Sequence, residues 1–187
     1  MPLTFEELEP ERRAEFGELA ILALEIMTLY ARVIENIGWV VGESTRNSDD
    51  HRELRSDYPK SPEVERPKTF LEIVNAQDVS GDRSQFLIVF NRVKATRDHL
   101  AHALIMYASE SGPVRVSIPY YKDGNGDRRR KTLDAGKSAI TTALATKRIK
   151  ELKWLLAHVE WVRLQLDQRG GPVPLQTRLQ KPPPVKP

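Results

Sequence analysis

Residues 84–108, SQFLIVFNRVKATRDHLAHALIMYA, constrain the fold more than any other stretch of this chain. Phe86, Phe90, Val93, Leu100 and Leu104 recur at helical spacing, and Arg97 falls in the same register near the centre of the stripe. The opposite side is not a plain solvent face, because Leu87, Ile88, Ile105 and Met106 lie there with Asn91, Asp98 and His102. A helix that is apolar nearly all round is buried on two sides. One side then faces the intramolecular core, and the other needs a second cover, most simply a partner subunit. Arg97, Asp98 and His102 are costly guests in such a segment, since a buried charge without partners is strongly destabilising. Local rules broken inside an otherwise consistent helix mark a functional site.

The rest of the chain reads as helices around this one. Leu19, Leu22, Ile26, Leu29, Val33 and Ile37 line one face of a helix over 11–43, which Gly42 and the polar residues after it terminate. A polar, proline-containing loop over 44–68 leads to a short helix at 67–78, with Pro67 suited to its first turn. Asp82 or Ser84 caps the motif helix, which the pattern carries to about Ser109. The period then changes. Val114, Val116 and Ile118 alternate as in a strand, and 128–133 pairs back with them across KDGNGD. A last helix spans 138–168 with Leu152, Leu155, Val159, Val162 and Leu166 as its stripe. The expected fold is all-α, an antiparallel helical bundle with a small β-hairpin (about 112–134) inserted before the last helix. Residues 1–169 form that domain, and 170–187 form a proline-rich, extended tail.

Composition removes several chemistries. The chain has 187 residues, no cysteine and four histidines, so disulfides, thiolate metal sites and cysteine nucleophiles are excluded. An all-protein zinc cage would need carboxylates to complete it, and no metal or other cofactor is expected. The acidic start MPLTFEELEPERR is the opposite of a signal peptide's basic start. Glu25, Arg32 and Glu35 interrupt the most apolar stretch, so no membrane span and a cytoplasmic location are expected. The net charge of +3 hides an asymmetry: residues 1–80 carry 9 Lys/Arg against 17 Asp/Glu, and residues 81–187 carry 20 against 9. Solvated helix faces explain this as well as a field presented to an anionic partner such as nucleic acid.

Asp98 and His102 are spaced i, i+4 and share a face, where the carboxylate orients the imidazole. Arg97 and His102 are five apart and point about 140° apart around a helix. They make a compact site only if another element, or the helix of a second subunit, closes it. NRVKATRDHLAHA resembles the conserved segment of HEPN domains (higher eukaryotes and prokaryotes nucleotide-binding), with Arg97, Asp98 and His102 supplying the arginine, polar residue and histidine of their motif. Arg46, Asn47 and His51 repeat the bare spacing, but in a polar loop without apolar helical flanks. The helix context therefore carries the resemblance.

The resemblance implies a helical bundle and metal-independent endoribonuclease activity, in which 2′-hydroxyl attack leaves a 2′,3′-cyclic phosphate. It also implies a homodimer in which two copies of the motif meet. His102 would be the proton-transfer residue, as acid or base, Arg97 the phosphate-binding residue, and Asp98 the polar orienter. RNA is then the partner, with an antitoxin or regulatory protein as a further one if the chain is a toxin or phage-defence effector. Two other classes stay open: a non-catalytic nucleotide- or RNA-binding or regulatory module, and a helical assembly protein in which Arg97 and His102 complete a polar network.

Weaker signals accompany the motif. Arg128, Arg129, Arg130 and Lys131 form the densest basic run. They read either as an exposed hairpin edge or as an RNA-tracking arm with Tyr120 and Tyr121 near enough to stack on bases. Asp123–Asp127 has the opening of a calcium loop, but Arg128 stands where that loop needs glycine, so a hairpin tip is expected. His99, with Asp98 and His102, lacks the context of a metal site. Trp154, His158 and Trp161 form a second stripe on the last helix, read as core or dimer packing with His158 as an interface histidine.

Overall fold

Each long helix begins and ends where local chemistry allows. A computed structural model describes residues 8–44, 63, 65–76, 84–102, 105–107, 115–117, 120–122, 128–130 and 140–167. Among the described residues four helices hold the packed side chains: α1 (Pro10–Ser44), α2 (Arg66–Ala76), α3 (Phe86–His102) and α4 (Thr142–Asp167). In the first turn of α2, Pro67 follows Glu65, whose carbonyl accepts from the amides of Lys68 and Thr69 at 2.9 and 3.1 Å. The last helix starts four residues later than its periodicity implies. The Thr141 hydroxyl accepts from the Leu144 amide at 3.3 Å, an N-cap that sets the boundary.

Between α3 and α4 lie four three-residue strands, described by their backbone: β1 (Ile105–Tyr107), β2 (Arg115–Ser117), β3 (Tyr120–Lys122) and β4 (Arg128–Arg130). β1 pairs antiparallel with β2, and β3 with β4. Two expectations change here. The motif helix ends at His102 rather than continuing to Ser109, and Ile105–Tyr107 are strand. A short apolar run fits either period, and the β-branched and aromatic residues in it favour the pleated form. The segment around Val116 pairs with Ile105–Tyr107 instead of with 128–133, and 128–130 pairs with Tyr120–Lys122. The expected hairpin tip at 123–127, the 45–62 loop with Arg46 and His51, and the 170–187 tail lie outside the described residues.

The chain divides into two compact units. The unit formed by Leu29–Val93 and Glu151–Pro187 holds most of the buried side chains. Tyr30, Val33 and Ile37 of α1, Phe70 and Ile73 of α2, Phe86 and Phe90 of α3, and Leu152, Leu155 and Val159 of α4 are buried in it. Phe86 is its hub, with ring centroids 5.2 Å from Phe70, 6.4 Å from Trp154 and 5.5 Å from His158. From Phe86 to Arg92 along α3, the partners on α4 step back from His158 to Glu151. The two helices therefore run antiparallel. Trp154, His158 and Trp161 are core packing, and His158, 1% exposed, lies inside this unit rather than at a subunit interface. The reason is Phe86, whose ring completes a set of aromatics around the imidazole.

Glu151 is 1% exposed, and Arg92 Nη2 lies 3.5 Å from its Oε1. The Arg92 side chain is 33% exposed, but removing it takes a cation from a carboxylate that is buried. Arg92→Met is therefore expected to destabilise the chain by about 3 kcal/mol. Urea denaturation checks this, and Arg92→Met together with Glu151→Leu should recover most of the loss.

The other unit, Met1–Thr28 with Lys94–Lys150, is smaller in core: Leu8, Leu19, Ile26, Thr96, Ile140, Ala145 and Ile149 are buried. The two-sided burial expected of the motif helix is not met within one chain. Phe86, Val89, Phe90 and Val93 are buried, but Ile88 is 59% exposed and Asn91 and Ala95 are exposed too. Among the described residues one stripe of α3 is buried, and the face that carries Ile88, Asn91 and Ala95 is exposed. No helix among the described residues is long and apolar enough to cross a membrane.

Candidate functional site

The C-terminal half of α3 collects charge on a short stretch of backbone. Lys94 and Asp98 are four residues apart and so stack one above the other on the helix surface. The Lys94 ammonium donates to Asp98 Oδ2, and Arg97 Nη1 donates to Asp98 Oδ1 at 2.9 Å. Both carboxylate oxygens are thus held by cations. Arg97 and Asp98 are 31% and 34% exposed, so the cluster is open to a ligand from solvent. Immediately before Arg97, Thr96 is buried, and its hydroxyl accepts from Arg148 Nε of α4 at 3.0 Å. That bond ties the start of α4 to the segment carrying the cluster.

Partial burial pushes the Asp98 carboxyl up, but the hydrogen bonds and charges of Lys94 and Arg97 outweigh it and hold the group below its ordinary value. Asp98 therefore stays ionised throughout the range in which a histidine titrates. The stabilisation from these pairs is present above the usual carboxylate range and is lost as pH falls through the depressed value.

The structure brings Arg97 and Asp98 together. It places His102 one turn further on, as the last residue of α3, and its side chain lies outside the described part. The carboxylate that the i, i+4 spacing assigns to His102 has each of its oxygens on a cation, Lys94 or Arg97. His99 is half-buried on the same helix. No family model, curated protein or solved structure matches this chain.

Among the described residues no group of three or more His, Asp or Glu gathers as a metal site would require. Where β3 pairs with β4, Tyr121 is opposite Arg129, and Arg128 and Arg130 are opposite Lys122 and Tyr120.

Two participants were missed by the sequence reading. Lys94 was legible, since a lysine one turn before an aspartate is a known helix pair. Arg148 was not, because it meets Thr96 across 52 residues of sequence.

Proposed function

We propose that this chain is a HEPN-like, metal-independent endoribonuclease acting as a homodimer. The observation that carries the reading is the pair of cations, Lys94 and Arg97, converging on one carboxylate at the half-exposed end of α3. Two cations that grip a carboxylate from a rigid helix are arranged to grip a phosphodiester as well. Arg97 would bind the scissile phosphate and stabilise the charge that develops on it, and His102 would transfer a proton.

The reaction needs two transfers. The 2′-hydroxyl loses its proton as its oxygen attacks phosphorus, and the 5′-oxygen gains one as its bond to phosphorus breaks. The products are a 2′,3′-cyclic phosphate and a 5′-hydroxyl. Two copies of His102, one from each protomer, would supply both transfers, with the uncovered face of α3 around Ile88 as the surface that a second copy covers. The small hairpin, with Arg128, Arg129, Arg130 and Tyr121, would add phosphate and base contacts. A toxin or phage-defence role, held off by a regulatory protein, fits an RNase that needs no metal.

The test is cleavage of single-stranded RNA by the purified chain in excess chelator. Fragments ending in cyclic phosphate are expected. An absolute requirement for magnesium, or a stable monomer at micromolar concentration that still cleaves, overturns the composite site. The same cation pair favours one other reading. Lys94 and Arg97 hold an anion without His102, so a module that binds RNA and does not cut it would need nothing more. Salt-sensitive RNA binding with no cleavage selects that reading.

A further inference from the structure

The exposed face of the first half of α4 has a composition that ordinary helix surfaces lack. From Ala135 to Lys150 the sequence holds Lys137, Lys147, Arg148 and Lys150 and no Asp or Glu. Within the helix, Ala143, Thr146, Lys147 and Lys150 are exposed, and Ala145 and Ile149 are buried. Lys147 and Lys150 are one turn apart on the outer surface, separated by about 4.5 Å along the axis. Solvated helices usually alternate sign at this spacing, as α1 does with Arg12 Nη1 3.1 Å from Glu15 Oε2. Here a small-residue surface carries charge of one sign.

We propose that this face, with Lys147 and Lys150 as its contacts, is a phosphate track that carries single-stranded RNA to the Arg97 cluster. The proposal rests on the RNA reading above and extends it to residues outside the motif. Three observations carry it. The Arg148 Nε–Thr96 Oγ1 bond of 3.0 Å joins the helical turn that bears both lysines to the residue preceding Arg97. The turn bearing the lysines is thus held against the segment that bears Lys94 and Arg97. The exposed side chains are alanine, threonine and lysine, with no apolar or aromatic anchor of the kind a protein interface needs at its centre or a surface-lying helix buries in lipid. A face that offers charge alone matches a ligand that presents a negative charge at every unit of its chain, which is the sequence-independent mode of nucleic-acid binding. Alanine and threonine at Ala143 and Thr146 also let a backbone approach closely.

The test uses the full chain carrying His102→Ala, so that RNA is bound and not consumed. A labelled single-stranded RNA of about 20 nucleotides is titrated between roughly 50 and 200 mM salt, with and without Lys147→Gln and Lys150→Gln together. Loss of two phosphate contacts is expected to weaken binding roughly five- to tenfold at low salt and to flatten the slope of log K against log salt by about 1.4. Because both side chains are exposed, thermal unfolding should not move. Equal affinity and equal slope in the two proteins overturn the track while leaving the RNA reading standing. Binding of poly-glutamate or anionic vesicles, but not RNA, with the same lysine dependence overturns RNA as the occupant. Polyadenylate and polyuridylate binding alike, both losing affinity in the double variant, supports it.

Discussion

Replacing His102 by alanine is expected to slow RNA cleavage by about 10²- to 10⁴-fold, the range for removing a positioned proton-transfer group. Arg97→Ala is expected to cost about 10²- to 10³-fold, the range for losing one donor to a developing oxyanion. Neither change should unfold the chain. Arg97 is 31% exposed and Asp98, with which it pairs, 34%, and an ion pair so exposed contributes about 0–1 kcal/mol. Arg97→Lys keeps the charge but loses the planar fork, so it should recover RNA binding better than it recovers rate.

Asp98→Asn separates two roles for the carboxylate. If Asp98 mainly occupies Lys94 and Arg97, its neutralisation frees both cations and strengthens RNA binding. If it orients His102, the variant slows cleavage with binding unchanged. The geometry favours the first outcome, since Lys94 and Arg97 each hold one of its oxygens. The pH profile gives an independent check. Asp98 is held below the usual carboxylate range, so it stays charged across the neutral region. An inflection near the ordinary histidine value of about 6.5 then belongs to an imidazole. Asp98→Asn should leave that inflection in place. Single-turnover cleavage measured across pH in each variant reads all of these. Cleavage undiminished in His102→Ala would falsify the catalytic assignment.

The sequence made the long helices legible because their apolar residues recur over many turns. Leu19, Ile26, Val33 and Ile37 of α1 and Leu152, Leu155, Val159 and Val162 of α4 are all buried as their spacing demands. It failed where a few residues decide between alternatives. The three residues Ile105–Tyr107 fit a two-sided apolar helix and a strand equally, and their pairing with Arg115–Ser117 separates the two. The start of α4 depended on one hydroxyl, that of Thr141. At the candidate site, Arg97 and Asp98 stood out as charges in an apolar helix, and they do sit together. What the spacing did not reveal is competition: Lys94 and Arg97 both reach Asp98, so an i, i+4 relation with His102 does not by itself assign the carboxylate. Contacts between distant segments, such as Arg148 with Thr96, have no local signature at all.

The largest loss of stability from a single substitution is expected at Phe86→Ala. Phe86 is fully buried and meets rings from two other helices, Phe70 of α2 and Trp154 and His158 of α4. Truncation removes the transfer energy of the ring and leaves a cavity that three aromatic neighbours, fixed on two other helices, fill poorly. The cost should be about 3–5 kcal/mol, or a fall in Tm of roughly 8–15 °C for a chain of this length. Phe86→Leu, which refills part of the volume, should recover about half.

Ile88 supplies the contrast, two residues away on the same helix. It is 59% exposed, so within one chain Ile88→Ala should change stability by no more than about 0.5 kcal/mol. A homodimer closed over this face changes that expectation in a measurable way. The loss from Ile88→Ala would then grow with protein concentration, because only the associated form buries the side chain. The loss from Phe86→Ala would persist at every concentration. Unfolding curves of both variants at two concentrations a hundredfold apart thus separate the intramolecular core from the surface left for a second copy. A concentration-independent Ile88→Ala removes the argument that the outer face of α3 is where two protomers meet.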